Sequence, residues 1–144
     1  MNPTPVQAKA MPTLLKGRDA IIGAQTGTGK TASFALPILQ LLQDANHSKK
    51  KRIRALILAP TRELAAQIGK SIANYGRNTK LSIAVVHGGV NIRPQIKSLK
   101  KGVDILVATP GRLLDHLHSH TVNIARIEIF VLDEADRMLD LGFL

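Results

Sequence analysis

Short apolar runs of strand length recur along the chain, and longer stretches with helical spacing separate them. The five runs are Ala20-Ile21-Ile22-Gly23, Ala55-Leu56-Ile57-Leu58-Ala59, Ile83-Ala84-Val85-Val86, Ile105-Leu106-Val107-Ala108 and Ile129-Phe130-Val131-Leu132. Runs that are apolar throughout, rather than alternating with polar residues, are typical of strands buried on both faces of a parallel sheet. The pattern therefore predicts five buried parallel strands.

In the intervening stretches, apolar residues recur three or four positions apart, as they do along one face of a helix. Two such sets are Phe34, Ile38, Leu39 and Leu42, and Leu64, Ile68 and Ile72. Alternating strands and helices predict an α/β fold, a doubly wound parallel sheet with helices on both faces. Such sheets bind ligands at the carboxyl ends of their strands, so the segments that directly follow the runs are the candidate functional residues.

Size and composition fit a single domain. A chain of 144 residues with 44% hydrophobic content can bury one ordinary core, and we expect one domain, or part of one, over 1–144. The absence of cysteine excludes disulfides and thiolate metal sites and fits a reducing compartment such as the cytoplasm. No apolar run is long enough to span a bilayer, and residues 1–7 do not resemble a leader peptide.

The charge favours a polyanionic partner, for which RNA, DNA and anionic membranes all qualify. Twenty Lys and Arg against ten Asp and Glu give a net charge of +10. Aromatic residues make up only 3% of the chain, which favours contact with a sugar-phosphate backbone over base stacking. We interpret the densest basic run, Lys49-Lys50-Lys51-Arg52 with Arg54, as a solvated loop; the alternative, which we favour less, is a dedicated RNA contact.

The histidines show no zinc pattern, and His116, His118 and His120 are predicted to be surface residues.

After the first run, Ala24-Gln25-Thr26-Gly27-Thr28-Gly29-Lys30-Thr31 matches the phosphate-loop (P-loop) pattern, with alanine in place of the first glycine. Glycines let successive amides point at a phosphate, and the following helix N-terminus adds positive charge. Lys30 would neutralise the β and γ phosphates, and Thr31 would place its hydroxyl on magnesium. A glycine-rich turn before a helix would explain Gly27 and Gly29 but not the adjoining Lys30-Thr31. The pattern therefore predicts a site for a magnesium nucleotide.

After the fifth run, Asp133-Glu134-Ala135-Asp136 brings three carboxylates into four residues. A cation would relieve their repulsion, so Asp133 is predicted to hold magnesium through water and Glu134 to orient the water that attacks the γ-phosphate. The alternative is a helix N-terminus whose acidic residues complement its dipole. The phosphate loop in the same chain favours the magnesium interpretation.

The tetrad at 133–136 resembles the signature of the DEAD-box RNA helicases, and 24–31 is similar to their phosphate loop, in which alanine is a usual first residue. Three further segments resemble family segments in the family order. They are Pro60-Thr61-Arg62-Glu63-Leu64-Ala65, Gly88-Gly89 and Thr109-Pro110-Gly111-Arg112. The resemblance covers essentially the whole chain and implies the N-terminal RecA-like domain of an ATP-dependent RNA helicase, with ATP and Mg²⁺ as cofactors.

The resemblance also implies roles for single residues. Lys30 and Glu134 would be catalytic, and Asp136 would couple the nucleotide to the rest of the protein. The RNA track would consist of Pro60, Thr61, Arg62, Gly88, Gly89, Thr109, Pro110, Gly111 and Arg112, which meet phosphates and ribose without reading sequence. The same residues also have purely structural interpretations. Thr61 can be a helix N-cap, Gly111 can lie in a turn, and Arg62 and Arg112 can form surface salt bridges.

Gln7 resembles the glutamine with which the family reads adenine, since its amide can donate to and accept from the base edge at once. The alternative is local, because Thr4, Pro5 and Gln7 also fit a capping box with proline at the first helical position. In the family, an aromatic residue upstream of this glutamine stacks on the base. The given chain begins at Met1 without it, so we expect a weakened affinity for adenine.

The chain ends at Leu144, whereas the family continues with a Ser-Ala-Thr segment, further strands and a second helicase domain. The family strand that leads to that segment lies between the phosphate-loop strand and the acidic strand. We therefore expect an incomplete sheet and very weak hydrolysis. We also expect either self-association of the chain or a longer parent chain of which this is only a part. Unwinding of RNA is the leading function, and an ATP-dependent RNA clamp without unwinding is the alternative. The ATPase of a transporter or DNA motor is disfavoured by the segments at 60–63 and 109–112.

Overall fold

Four of the five predicted strands form one parallel sheet in the computed structural model, which describes residues 28–44 and 52–133, with side chains in the first range from 35 to 43. The strands are β1 (Ala55–Leu58), β2 (Ile83–Val86), β3 (Ile105–Ala108) and β4 (Ile129–Leu132). The parallel-strand prediction is confirmed for these four. The predicted strand at 20–23 lies outside the described residues.

The strand order is β2-β3-β1-β4, and every neighbouring pair is parallel. Ala55 lies opposite both Ile105 and Ile129, and Ile83 lies opposite Ile105, so the four strands begin at the same level. Their carboxyl ends therefore share one edge of the sheet. The order places β1 and β3 in the middle and β4 at one end of the described sheet.

Helices cover both faces, as the doubly wound pattern predicts. They are α1 (Thr28–Asp44), α2 (Arg62–Tyr75), α3 (Arg93–Lys100) and α4 (Pro110–His118). Apolar residues of α1 and α2 pack on one face with Ile57 and Val107, whereas α3 and α4 pack on the other with Leu56 and Leu106. No helix within 28–44 or 52–133 is long and apolar enough to cross a membrane.

The helical spacing of the sequence describes the buried face of each long helix. Ile38 and Leu42 of α1 and Ile68 and Ile72 of α2 are fully buried in the same cluster. Burial of each such side chain stabilises the fold by roughly 1.5–3 kcal/mol relative to exposure. Gly69 lies on the buried face of α2, where an added Cβ would overlap the Cγ2 atom of Val85. This glycine therefore sets how closely α2 approaches β2.

Arg54 is not part of a solvated loop, which corrects one member of the basic run. Its side chain is only 17% exposed, and its Nε donates to Glu128 Oε2 at 2.6 Å. Its Nη1 also donates to the carbonyl oxygen of Leu42 at 3.2 Å. Because Arg54 directly precedes β1, it lies where the last turn of α1 meets the start of β4 and ties the two together. Arg52 is exposed, and Lys49-Lys50-Lys51 lie outside the described residues.

Candidate nucleotide and RNA site

The segments that follow the four strands lie side by side at the carboxyl edge of the sheet. Backbone hydrogen bonds continue from the strands into them: Ala59 N donates to Ala108 O at 3.0 Å, and Thr109 N to Val86 O at 3.1 Å. Asp133 N donates to Leu58 O at 2.9 Å. The strand order therefore places the three predicted RNA segments next to one another and Asp133 beyond the last of them.

Thr61 is the N-cap of α2, which confirms the structural interpretation of this residue. Its backbone is extended, and its Oγ1 accepts a hydrogen bond from Leu64 N at 3.2 Å. Such a cap satisfies one of the free amides of the first helical turn. The pKa of Glu63 is lowered, first by a hydrogen bond from its own backbone and then by one from Arg62. Glu63 is thus anionic at the helix N-terminus, where a negative charge is favourable.

Arg62 crosses the turn that follows β2. Gly89 has a φ of +80°, which favours glycine, and a Cβ atom added there would lie 2.5 Å from Arg62 Nη1. The Arg62 side chain is 57% exposed, and its Nε donates at 3.1 Å to Oε1 of Glu63, whose side chain is 73% exposed. Exposed ion pairs of this kind contribute about 0–1 kcal/mol. The guanidinium can therefore exchange Glu63 for another anion at little cost.

Gly111 is the second residue of α4 rather than part of a turn, so the turn interpretation is wrong. Pro110 stands at the first position, where its fixed φ suits a helix and its missing N–H is not needed. Thr109 occupies the N-cap position with extended backbone but makes no side-chain cap hydrogen bond. A Cβ added at Gly111 or at Gly88 would have no other heavy atom within 4 Å. The N-terminus of α4 and the turn after β2 therefore leave open space at this edge.

Arg112 has more than the surface salt bridge that the sequence suggests. Its side chain is only 12% exposed, and its Nε lies 3.6 Å from Asp115 Oδ2. Its Nη1 donates to Gln95 Oε1 and its Nη2 to the carbonyl oxygen of Val90, both at 3.1 Å. Arg112 thus joins α4 to α3 and to the turn after β2.

His116 is buried, with 0% of its surface exposed, so the prediction of a surface residue is wrong for it. His118 and His120 are exposed as predicted. Burial lowers the pKa of His116, and the positive charge of Arg112 lowers it further, whereas Asp115 acts in the opposite direction. His116 is therefore a neutral imidazole near pH 7.

On the nucleotide side, the structure describes part of the predicted set. Lys30 and Thr31 lie in the first turn of α1, whose backbone begins at Thr28. Asp133 follows β4 directly and is 1% exposed. The other predicted residues lie outside the described residues; they are Gln7, Ala24, Gln25, Thr26, Gly27, Glu134 and Asp136.

The donor chemistry of Asp133 fits magnesium. Mg²⁺ keeps several waters and takes one or two carboxylates together with the substrate's phosphates, so it does not need a cage of protein ligands. Within 28–44 and 52–133, no group of three or more His, Cys, Asp or Glu is placed to hold a metal ion. The assignment of Asp133 and Thr31 to the ion stays a prediction.

Gln95 and His116 form buried hydrogen bonds that the sequence does not predict. Gln95 Nε2 donates to the carbonyl oxygen of His87 at 3.0 Å, and His116 Nε2 lies 3.1 Å from Gln95 Oε1. A signal was present in the helical spacing, because Gln95 stands four positions before Leu99 and His116 three after Leu113. Both apolar neighbours pack in the core on that face. A polar residue at a core-facing position indicates a buried hydrogen-bonding role.

Comparison with known proteins bears on the whole chain. The family model described as DEAD/DEAH box helicase matches residues 4–144. The chain is 48% identical over 143 residues to the DEAD-box ATP-dependent RNA helicase RhpA of Helicobacter pylori strain B128. It is 50% identical over 141 residues to the ATP-dependent RNA helicase CshA of Limosilactobacillus reuteri. These alignments cover 99% and 98% of this chain, but only 28% of the length of each relative.

Two solved structures share the fold at 39% sequence identity and over 99% of this chain. One is a hypothetical ATP-dependent RNA helicase from Sulfolobus tokodaii, with a TM-score of 0.78 and 40% of that chain covered. The other is the yeast DEAD-box splicing factor Prp28, with a TM-score of 0.82 and 34% covered. The RecA-like fold implied by the sequence resemblance is thereby confirmed, and the chain belongs to the DEAD/DEAH box helicase family.

Proposed function

We propose that this chain is the ATP- and RNA-binding half of an ATP-dependent RNA helicase that couples ATP binding and hydrolysis to local unwinding of RNA. The observation that carries the proposal is the single edge at which three predicted RNA segments and the buried Asp133 adjoin. A molecule that binds at this edge can contact the RNA segments and approach the nucleotide residues at the same time. The relatives RhpA and CshA carry names of ATP-dependent RNA helicases.

The RNA side is built for a sugar-phosphate backbone. The N-terminus of α4 lacks a side-chain cap from Thr109, so its first-turn amides and its dipole favour a phosphate. Gly88 and Gly111 present no side chain to an approaching chain, and the exposed Arg62 lies beside Gly89. These groups recognise phosphate and ribose, and binding is therefore independent of sequence.

On the nucleotide side, Lys30 would neutralise the β and γ phosphates, and the amides at the start of α1 would point at them. Thr31 and Asp133 would hold Mg²⁺, which supplies charge neutralisation on the phosphate oxygens when bound. Glu134 would orient the attacking water, and Gln7 would read adenine.

Three further elements complete the proposal. Asp136 would couple the nucleotide to the rest of the enzyme, and a second helicase domain would supply the remaining groups for hydrolysis. We therefore propose very weak hydrolysis by the 144-residue chain alone. We also propose that the chain associates with itself, which sedimentation of a single monomeric species would contradict.

The nucleotide site is tested by titrating a fluorescent adenine nucleotide with Mg²⁺ into the 144-residue chain, with a guanine nucleotide as competitor. We expect saturable binding that is lost in Lys30→Ala, weakened in Gln7→Ala and not displaced by guanine. Lys70→Ala is the matched control, because Lys70 is an exposed lysine on α2. A chain with α/β circular dichroism that binds no adenine nucleotide would contradict the site.

The RNA site is tested by fluorescence anisotropy of a labelled oligouridine at several salt concentrations. We expect Arg62→Ala to weaken binding and to reduce the slope of log affinity against log salt by about 0.7, the value for one lost phosphate contact on a single strand. Lys70→Ala again serves as the control. An unchanged affinity and slope in Arg62→Ala would remove Arg62 from the RNA surface.

A further inference from the structure

Two arginines in the predicted RNA segments, at the carboxyl edge of the sheet, differ in their surroundings. Arg62 is 57% exposed and pairs only with an exposed neighbouring carboxylate in the interactions given above. Arg112 is 12% exposed, and two of its nitrogens donate to Gln95 and to the backbone of Val90. A guanidinium held by two acceptors in a fixed plane is a fork, which lysine cannot replace. Arg112 is therefore fixed between Gln95 and the backbone of Val90, and this hydrogen-bonded group is called the clamp below.

Gln95 is the centre of this clamp, and its orientation is fixed from both ends. Its Nε2 donates to His87 O, and its Oε1 accepts from Arg112 Nη1. A flipped amide would place N–H groups against the Arg112 guanidinium and an oxygen against a carbonyl oxygen, so the flip is excluded. Gln95 is itself buried.

His116 completes the network from the other side. Because Gln95 Oε1 only accepts, His116 Nε2 must donate across the 3.1 Å that separates them. In the neutral ring Nδ1 then accepts from the hydroxyl of Thr121, which lies 2.7 Å away and also has the His116 carbonyl oxygen as an acceptor at 3.1 Å. Loss of Gln95 would leave a buried imidazole N–H and a guanidinium N–H without this acceptor, which is unfavourable for both groups.

We propose that Gln95 and Arg112 are positioning residues that lock the 88–90 turn to the N-terminus of α4, so that the RNA surface is preformed. This inference rests on the proposed RNA-binding function of that edge. Arg112 acts on RNA through Gly88 and Gly111, whose backbone it holds in place, rather than through an ion pair with a phosphate. Pre-organisation of this kind improves affinity because RNA does not have to order the two segments on binding.

The clamp is tested first without RNA, by NMR order parameters of the Gly88 and Gly89 amides. In Gln95→Met, which keeps the length of the side chain but removes both polar groups, we expect values to fall from about 0.85 to below about 0.6. The matched control is Gln67→Met at an exposed position of α2, which should change neither amide. Unchanged order parameters in Gln95→Met would overturn the proposal.

Arg112→Lys is the second variant, because it leaves Gln95 bonded to His87 and His116 while it removes the fork. We expect the same loss of order in the 88–90 turn, with circular dichroism like that of the unsubstituted chain. If Gln95→Met does not fold, Arg112→Lys decides the outcome by itself.

The RNA arm separates positioning from direct contact. We expect Gln95→Met, Arg112→Lys and Arg112→Met each to weaken oligouridine binding about fivefold, with an unchanged salt slope. The double variant Gln95→Met/Arg112→Met should bind no more weakly than either single variant, because both remove one shared clamp. A direct phosphate contact would instead preserve binding in Arg112→Lys and lower the slope by about 0.7 in Arg112→Met, and this result would overturn the proposal.

The two proposals fail in different ways. If the unsubstituted chain binds adenine nucleotide but no RNA, the proposed function fails, and with it the effect of the clamp on RNA. The order parameters would then still decide whether Gln95 and Arg112 hold the 88–90 turn.

Discussion

Substitution of Gly111 by alanine should stabilise the fold and weaken RNA binding at the same time. Gly111 is an exposed residue in the first turn of α4, and an added Cβ would have no other heavy atom within 4 Å. Alanine is favoured over glycine by roughly 0.5–1 kcal/mol in a helix, and a first-turn position belongs at the lower end of this range. The gain should raise the melting temperature by about 1–3 °C in a chain of this size.

The same methyl group would stand where an RNA backbone is proposed to approach. Displacement of a phosphate from the amides of α4 should cost about 1.4 kcal/mol, or roughly a tenfold loss of affinity for oligouridine. The assay pairs thermal unfolding by circular dichroism with anisotropy titration of labelled RNA. Adenine-nucleotide binding should be unchanged, which shows that the remainder of the edge is intact.

Asn74→Ala provides the matched control, because Asn74 is an exposed residue near the far end of α2. It also replaces a poorer helix former by alanine, and should raise stability without affecting RNA binding. A Gly111→Ala chain that is stabilised but binds RNA with unchanged affinity would refute the close approach. A destabilised chain would refute the assignment of open space around Gly111.

Three further substitutions test the packing, a helix cap and a buried imidazole. Gly69→Ala should destabilise the fold by about 1–3 kcal/mol in urea unfolding because its Cβ would overlap Val85, although alanine favours helices. The double variant with Val85→Ala should recover most of the loss, and a stabilised single variant would disprove the overlap. Thr61→Ala should cost about 1 kcal/mol because the bond to Leu64 N is lost, whereas Thr61→Ser should keep it; equal stability of the two variants would argue against the cap. The pKa of His116 in the folded chain lies below the ordinary value of 6.5, so the unfolded chain binds the proton first and the free energy of unfolding should fall as the pH drops below 6.5. In urea unfolding from about pH 7.5 to about pH 5.5, His116→Gln should lose this dependence, and an unchanged pH profile would contradict the prediction.

Much of the fold and part of the site could be predicted from the sequence. The runs at 83–86, 105–108 and 129–132 coincide with β2, β3 and β4, and 55–59 exceeds β1 by one residue. The predicted apolar positions of α1 and α2 are buried in the core wherever the structure describes their side chains, and the side chain of Phe34 lies outside the described residues. These features depend on hydrophobic periodicity, which is a local property of the chain.

The errors concern side chains whose surroundings come from distant parts of the chain. The sequence predicts a solvated loop for Arg54 because its neighbours in sequence are basic, but its ion-pair partner Glu128 lies 74 positions away. The sequence predicts a surface position for His116 because the histidines at 116, 118 and 120 give no sign of Gln95, which is 21 positions away from His116. The sequence suggests a turn at Gly111 because glycine is common in turns, whereas the helix already begins at Pro110.

The sequence by itself determined the four described strands, the helical character of α1 and α2, and the loops that carry the candidate chemistry. These features follow from the pattern of apolar residues and from the rule that parallel sheets bind ligands beyond their carboxyl ends. The tertiary structure alone decided that β3 lies between β1 and β2, and hence which loops are neighbours. It also decided that Arg112 is nearly buried and bonded to Gln95, whereas Arg62 is exposed. The physical reason is that strand pairing and buried polar networks depend on partners distant in sequence, and local patterns do not specify those partners.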